Sequence, residues 1–277
     1  SEPQKRDAAV DLLSKILLKP DFDETRFKRE QKRFIGDARE AEISPESIAY
    51  NLALRKAFGA HPNGFSSGTE ETLKRIERQD LVDFYQQYYR PQGTVIALVG
   101  DVDRRQAEKI AEKLSALPKR AKPIPTLPEV TLPQKSEVIR LPHPASQANI
   151  VMALPFVDRY APDYQAVLLG EYILGGGGFD SRLMQEVRVK KGYAYSVGSH
   201  WQPYAQAGPL LIFLQTRKDQ ANSALQTVNQ VLDDFLKNGA TQTELEQARQ
   251  HILGAFPLRT GSNANILERL TVIGFYN

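Results

Sequence analysis

Apolar positions recur with a helical period through most of the first 117 residues of the chain. In residues 8–17 they return every three or four positions, which predicts a helix ending at Lys19-Pro20. The same period predicts a helix over 27–41 with Asp23 or Thr25 as cap, and one from Ser44 or Pro45 to Phe58. It also predicts a short helix after Thr69, a helix from an Asp80 cap to Tyr88, and a helix over 105–117. The unbroken apolar run 94–100 instead predicts a strand buried on both faces.

The second half of the chain alternates strand and helix patterns. Strands are predicted over 136–141, 148–154, 193–201 and 208–216, and helices over 162–174, from an Asp180 cap to Gly192, over 218–237, and from a Thr241/Glu244 capping box to Leu253. The four glycines at 175–178 predict a flexible joint between two helices. Strands grouped with helices indicate the α+β class, with a mainly antiparallel sheet and helices packed over one face.

Proline divides the chain. Seven of the 17 prolines fall between Pro118 and Pro144, and this density predicts an extended, semi-rigid linker over 118–135. It would separate 1–117, the C-terminal portion of one α+β unit, from 136–277, a second unit that is incomplete at its C-terminus. A long surface loop within one domain is the alternative. The first residues already follow a helical pattern, and the chain stops at GFYN without a closing strand or helix cap. We therefore expect a truncated chain.

Composition narrows the function classes. Hydrophobic residues make up 41% and charged residues 25%, which is typical of a soluble globular protein and excludes collagen-like and disordered chains. No apolar run reaches the ~18 residues of a membrane-spanning helix. A formal charge of +3 does not favour a nucleic-acid partner, and a binding module built on Lys119, Arg120 and Lys122 is a minor alternative. The absence of cysteine excludes disulfides and thiolate chemistry but leaves the compartment open, with the bacterial periplasm slightly favoured.

Common catalytic motifs are missing from the sequence. The histidines His61, His143, His200 and His251 do not form a closely spaced pair that could bind a metal from one helix. No G-x-S-x-G elbow occurs, and the four glycines lack the Lys-Ser/Thr pair of a phosphate loop. We therefore predict exposed or capping roles for the histidines.

Two residue pairs could carry chemistry. Glu30 and Asp37 lie seven residues apart on one predicted helix, so both face the same side and could ligate a cation, although such pairs are also common on solvated faces. Arg188 and Tyr195 flank a predicted helix-to-strand turn, where a cation and a phenol could both hydrogen-bond a carbonyl oxygen or an oxyanion. A surface arginine beside a half-buried tyrosine is the alternative.

Two segments carry a family resemblance: HPNGFSSGTEETLKRIERQDLVDFYQQYYRPQGTVIALVGDVD and GGGGFDSRLMQEVRVKKGYAYSVGS. With them, nearly the whole chain resembles the insulinase-like zinc peptidases, which include pitrilysin and the mitochondrial processing peptidases. The resemblance implies repeated α+β units. In the first unit an H-x-x-E-H motif binds zinc and activates water, and a downstream acid is the third ligand. The second unit contributes an arginine and a tyrosine that face the substrate.

The resemblance assigns roles to both pairs. Arg188 and Tyr195 match the substrate-facing pair and its spacing. Glu30 matches the supporting glutamate of the third-ligand helix, KREQKRFIGDARE, and Asp37 falls where the zinc-ligating glutamate normally stands. Aspartate is one methylene shorter, so Asp37 is a degenerate ligand position. The H-x-x-E-H motif is absent from the chain, and the family would place it before Ser1.

Two functional hypotheses follow from this resemblance. In the first, the chain is part of a zinc metallopeptidase and carries its substrate-facing half, with a peptide or an unfolded protein as substrate. Zinc would then belong to the intact or partnered protein, and this chain alone would be inactive and bind none. In the alternative, the protein is a non-catalytic family member that acts as a complementing or structural subunit beside a related catalytic subunit.

Overall fold

A computed structural model describes residues 3–117, 123 and 125–276. Its α-helices, in chain order, are α1 Pro3–Leu18, α2 Glu24–Ile43, α3 Pro45–Phe58, α4 Glu70–Arg75, α5 Arg78–Tyr88, α6 Arg104–Leu114, α7 Tyr164–Glu171, α8 Ala221–Asn238, α9 Gln242–Ala255 and α10 Asn263–Tyr276. Its strands are β1 Gln147–Pro155, β2 Ala194–Trp201 and β3 Pro209–Arg217. Two π-helices, Tyr172–Gly176 and Met184–Lys190, lie on either side of a short 3₁₀ turn, Gly178–Asp180.

Local capping explains where several helices begin. The Asp23 carboxylate accepts a hydrogen bond from the Arg26 N–H at 2.8 Å, and the Ser44 hydroxyl accepts one from the Ser47 N–H at 3.3 Å. These bonds satisfy backbone donors that the first turn of a helix leaves free. The predicted Asp80 cap is wrong by one turn. Asp80 lies inside α5 and its carboxylate accepts from the Glu77 N–H at 2.7 Å, so Glu77 is the cap residue.

The three strands form one antiparallel sheet in the order β1-β3-β2. The β1–β3 register runs from Gln147 opposite Arg217 to Pro155 opposite Pro209. Within the described chain only β3 pairs with both other strands, and six of its nine residues are buried. The sheet confirms the predicted α+β class and its antiparallel character.

Helices cover both faces of this sheet, which corrects the expectation of helices on one face only. On the first face, the core comprises Leu174, Leu183, Met184, Val187, Ala194, Val197, Ile212, Leu214, Ala224, Val228 and Val231. On the second face, Leu54, Ala57 and Phe58 of α3 pack against Leu211. The reason is the sequence of β3, whose consecutive apolar residues place a hydrophobic side chain on each face.

Two predicted strands are not found. Residues 94–100 and 136–141 form no strand, because no segment of the described chain pairs with them and a strand needs a hydrogen-bonded neighbour. In 94–100, the Val95 side chain lies close against Gly274 of α10. In 136–141, Glu137 forms a 3.2 Å ion pair with Lys56 of α3. Apolar patterning alone therefore overestimated the sheet.

The glycine run is tightly packed. A Cβ atom at Gly175 would lie 2.4 Å from the backbone nitrogen of Ser199 in β2, and one at Gly176 would lie 2.3 Å from a carboxylate oxygen of Glu171. At Gly176 the Glu171 side chain could move aside, but at Gly175 the backbone of β2 leaves no room for a methyl group. The predicted flexible joint is therefore a close approach of the Gly175 backbone to β2. Glycine is required here because the first π-helix touches β2.

The chain divides into two compact units, of residues 1–36, 69–126 and 254–277, and of residues 37–68 and 127–253. In the first unit, the Tyr85 hydroxyl donates to the Leu17 carbonyl at 2.6 Å. The second unit contains the sheet. Of the predicted linker, residues 118–122 and 124, including Lys119, Arg120 and Lys122, lie outside the described residues, and 125–135 form neither helix nor strand. The division at 118–135 stays a prediction. None of the described helices has the length and apolarity of a membrane span.

Candidate functional site

The second π-helix and β2 meet at a tight turn around Gly192. Gly192 adopts a φ of +63°, in the left-handed region that glycine enters without strain. Its N–H donates to the Arg188 carbonyl at 2.9 Å, and the Tyr193 N–H donates to the Val187 carbonyl at 2.9 Å. These bonds satisfy carbonyls that the helix end would leave free, and they return the chain at once into β2. The turn therefore brings Arg188 close to Tyr195.

Arg188 belongs to a helix with unusual geometry. The predicted helix from Asp180 begins at Arg182 and is π-helical over Met184–Lys190. In its first turn the Met184 N–H donates to the hydroxyl of Ser181, and not to Asp180, at 3.4 Å. The Ser181 carbonyl accepts from the Gln185 N–H at 3.0 Å. Such π-helical turns are rare and often occur at functional sites. The fully buried Val187 fixes one side of this helix in the core, so the neighbouring Arg188 is held at the surface.

Tyr195 occupies a β-bulge. Ala194 pairs with Thr216 and Ser196 with Gln215, so Tyr195 is an extra residue without a partner in β3. Ala194 and Val197 both lie in the core although they are three residues apart, which a regular strand would place on opposite faces. The bulge absorbs this mismatch and turns Tyr195 outward, where 80% of the residue is exposed.

Arg188 and Tyr195 are in direct contact. The guanidinium carbon of Arg188 lies 4.6 Å from the centre of the Tyr195 ring and 4.8 Å from that of Phe179. Both distances are within the range of a cation–π interaction. Within the described part of the chain, Arg188 has no carboxylate in ion-pair contact. An uncompensated guanidinium beside a phenol can donate hydrogen bonds to a carbonyl oxygen or an oxyanion.

The sequence predicted this proximity from the helix-to-strand turn but missed three features. Neither the π-helix nor the bulge at Tyr195 has a signature in the residue pattern. The contact with Phe179 was also missed, although an aromatic residue directly after four glycines was a visible signal. The alternative of a half-buried tyrosine is wrong, because 80% of Tyr195 is exposed.

Glu30 and Asp37 both lie on α2, as predicted. The Glu30 carboxylate accepts hydrogen bonds from Arg33 at 2.9 Å and from Arg29 at 3.0 Å. These two guanidiniums, Arg33 first, hold the pKa of Glu30 below its usual range. Asp37 is exposed, and the described residues contain no group of three or more His, Asp or Glu side chains able to hold a metal ion. Glu30 and Asp37 alone therefore provide too few donors for a zinc ion, which takes three or four protein ligands.

The histidines mainly fill structural roles. The buried His61 accepts a hydrogen bond from the Asn63 N–H at 3.1 Å, and its other ring nitrogen lies 3.0 Å from the Pro128 carbonyl. His143 accepts from the Ala145 N–H at 3.1 Å in the same way. His61 thus caps the short 3₁₀ turn Pro62–Gly64, which is one of the two predicted roles, whereas no helix of the described chain begins at His143.

Arg182 anchors the N-terminal end of the helix that carries Arg188. Its guanidinium donates two hydrogen bonds to Glu244, at 2.6 and 2.8 Å, one to Asp234 at 2.9 Å and one to the Gly239 carbonyl at 2.8 Å. The Arg182 side chain is only 14% exposed. Hydrogen bonding from Arg182 lowers the pKa of Glu244 to about 2, against the cost of burial. This clamp joins the Arg188 helix to the α8–α9 turn.

We expect Arg182→Met to lower the free energy of unfolding by about 1–3 kcal/mol at pH 7, because it leaves Glu244 and Asp234 without their cation. The pKa of Glu244 is about 2 in the folded protein and ordinarily 4.5, so its ion pair stabilises the fold above pH 4.5. That contribution should disappear as the pH falls from 4.5 towards 2. Urea unfolding at several pH values measures both effects.

A matched control is Arg217→Met. Among the described residues Arg217 pairs only with Asp219, two residues away, and both side chains are largely exposed. Solvent screens such a pair, so this variant should unfold like the unmodified protein at every pH. The stabilising role of Arg182 would be contradicted if both variants lost the same free energy of unfolding. It would also be contradicted if the loss in Arg182→Met did not become smaller at acidic pH.

Comparison with known proteins gives one family. Residues 75–252 match the family model described as the peptidase M16 inactive domain. A crystal structure of a peptidase M16 inactive domain from Pseudomonas fluorescens is 35% identical, with a TM-score of 0.93, over 100% of this chain and 66% of that one. A crystal structure of a protease from Helicobacter pylori shares the fold, with a TM-score of 0.89 and 19% sequence identity. The match covers 100% of this chain and 68% of that one.

Curated relatives carry two kinds of name. An uncharacterized zinc protease, YmxG of Bacillus subtilis, is 26% identical over 94% of this chain and 63% of its own length. A protein of Helicobacter pylori that is named a non-peptidase homolog is 27% identical, over 95% of this chain and 60% of its own length. The chain thus spans about 60% of the length of such relatives.

Proposed function

Because the chain belongs to the peptidase M16 family, of the type described as the inactive domain, we propose that it is the non-catalytic, substrate-facing part of a peptidase. It would present Arg188 and Tyr195 to a peptide or an unfolded protein, and a related subunit would hold the zinc. The observation that carries the proposal is the contact between an uncompensated Arg188 and an exposed Tyr195. Aspartate at position 37, where the family resemblance places a zinc-ligating glutamate, and a relative named a non-peptidase homolog support a subunit role over self-sufficient catalysis.

The chemistry of this pair suits peptide hydrolysis. The planar guanidinium of Arg188 presents several N–H donors in a fixed arrangement, and the Tyr195 hydroxyl is a further donor. Together they can bind the carbonyl oxygen of the bond to be cleaved and stabilise the negative charge that develops on it. Stacking on the ring limits the rotamers of Arg188, so less entropy is lost when a peptide binds.

The sheet offers a way to hold the peptide. In the described chain β2 pairs only with β3, so its other side is a sheet edge. A peptide added along this edge would be bound through backbone hydrogen bonds, whatever its sequence. Tyr195 lies on this strand, so a peptide there would run past both site residues.

A second candidate is a self-sufficient zinc peptidase. Relatives named zinc proteases are longer than this chain, and the family resemblance places an H-x-x-E-H unit before Ser1. In that case repeated α+β units of one polypeptide would complete the site, with Glu30 as supporting acid and Asp37 as third ligand. An exposed aspartate, one methylene shorter than glutamate, is a weak basis for that role.

The test compares the full-length protein alone with the same protein mixed with an M16 relative that retains H-x-x-E-H. We expect no chelator-sensitive cleavage of an unfolded protein substrate by the full-length protein alone, little bound zinc by elemental analysis, and joint activity above the sum of the two. Chelator-sensitive cleavage by the protein alone would replace the proposal with the self-sufficient peptidase. A stable complex without added activity would leave a purely structural subunit and would also overturn it.

A further inference from the structure

We propose that Phe179 is a third member of the substrate-facing site, which orients Arg188 and selects apolar side chains in the bound peptide. This inference rests on the proposed function of Arg188 and Tyr195 and extends it to a class of substrate. The Phe179 ring lies 4.8 Å from the guanidinium carbon of Arg188, and 60% of the residue is exposed. A single exposed aromatic residue is unremarkable, but one stacked on the cation of the site is placed to meet its ligand.

The backbone holds Phe179 firmly in this position. Gly178 adopts a φ of +60°, and its carbonyl accepts a hydrogen bond from the Ser181 hydroxyl at 2.7 Å. The Phe179 carbonyl accepts one from the Gln185 side-chain amide at 2.6 Å. Gln185 belongs to the same π-helix as Arg188, so the phenylalanine and the arginine are fixed to one element. A ring held this way costs little entropy when a ligand packs against it.

The two rings define what can approach the guanidinium. Phe179 and Tyr195 both contact Arg188, so the faces of the cation are partly covered and its N–H edges remain available to an acceptor. A peptide carbonyl bound there would bring a neighbouring side chain against the exposed Phe179 ring. An apolar side chain would gain contact area at this ring, whereas a lysine or arginine would meet the positive charge of Arg188.

The site therefore favours a large apolar residue next to the bond that is cleaved and disfavours a basic one. The phenylalanine acts by packing, so its removal should change selectivity more than overall turnover. This distinguishes it from Arg188, whose removal should lower cleavage of the leucine and serine peptides alike.

The experiment uses the full-length protein with its zinc-bearing relative and peptides that differ at one position, leucine, serine or lysine, beside the cleaved bond. For Phe179→Ala we expect the kcat/KM ratio of leucine to serine peptide to fall about tenfold. Phe179→Tyr keeps the ring and should retain the ratio. A matched control is Phe256→Ala, which removes another exposed phenylalanine stacked on an arginine, 4.9 Å from Arg269, in the other compact unit. It should leave the ratio unchanged.

The Arg188→Ala and Phe179→Ala variants distinguish a failure of the role of Phe179 from a failure of the proposed function. If Arg188→Ala lowers cleavage of the leucine and serine peptides but Phe179→Ala keeps the leucine-to-serine ratio, the role of Phe179 is overturned and the proposed function stands. If Arg188→Ala leaves cleavage unchanged, the proposed function itself fails. Circular dichroism and a melting curve for each variant ensure that a changed ratio comes from folded protein, and peptide-binding anisotropy repeats the comparison without turnover.

Discussion

Replacement of Arg188 by alanine is expected to lower the turnover of the complemented peptidase by roughly 10²–10³-fold, the usual effect of removing one donor to an oxyanion. The effect should fall on kcat more than on KM, because the guanidinium binds the transition state better than the ground state. The helix around Arg188 should stay intact, since Val187 and the Gly192 turn hold it independently of the guanidinium. Steady-state kinetics on the full-length protein with a zinc-bearing relative measure the change.

Three further variants make this result specific. Arg188→Lys keeps the charge but loses the planar fork, and it should recover only part of the activity. Tyr195→Phe keeps the ring against the cation and loses only the hydroxyl, so its loss should be the smaller one. Lys190→Ala removes an exposed cation two residues away on the same π-helix and should be neutral. Unchanged turnover in Arg188→Ala, with the complex still formed, would exclude the arginine from the reaction.

The second large effect is expected on stability, from Gly175→Ala. Its new methyl group would lie 2.4 Å from the Ser199 backbone nitrogen and 2.5 Å from the Ser199 hydroxyl oxygen. Neither the strand nor the π-helix can move away without disturbing the core, where the neighbouring Leu174 and Val197 are buried. We expect a loss of about 2–4 kcal/mol and a melting temperature lower by about 5–10 °C. Thermal and urea unfolding measure both quantities.

The matched control for this variant is Gly170→Ala, five residues earlier in α7. A Cβ atom at Gly170 would meet only the Phe235 ring, at an ordinary 3.8 Å. Alanine is the better helix former, so this change should be neutral or stabilise the protein by up to about 1 kcal/mol. If the two variants unfold together, the close approach of the π-helix to β2 is not what requires glycine at 175.

Much of the secondary structure could be predicted because local signals decide it. The caps Asp23 and Ser44 and the Thr241/Glu244 box act within one helical turn, so the residues themselves reveal the helix start. The failures have a common physical origin. A strand at 94–100 depends on a partner elsewhere, and the second covered face of the sheet depends on where α3 packs. Neither the missing partner of 94–100 nor the packing of α3 can be inferred from a local sequence pattern.

The candidate site was predictable in part. The turn between Arg188 and Tyr195 could be inferred from their positions at a helix end and a strand start, and the family resemblance gave them a role. The π-helical geometry could not be inferred, because a pattern of apolar spacing does not distinguish an α-helix from a π-helix over two turns. The contact with Phe179 depends on both this geometry and the left-handed Gly178.

The bulge in β2 also limits how this region can vary in length. Val187 and Val197 fix both ends of this segment in the core, and Tyr195 is the residue that the β3 ladder leaves out between the paired Ala194 and Ser196. Deleting a residue between Val187 and Val197 would leave no extra residue to form the bulge. Tyr195 would then pair regularly with β3 and lie away from Arg188. Inserting one would move the mismatch along the strand. Relatives that keep the pair should therefore carry substitutions here but no insertions or deletions.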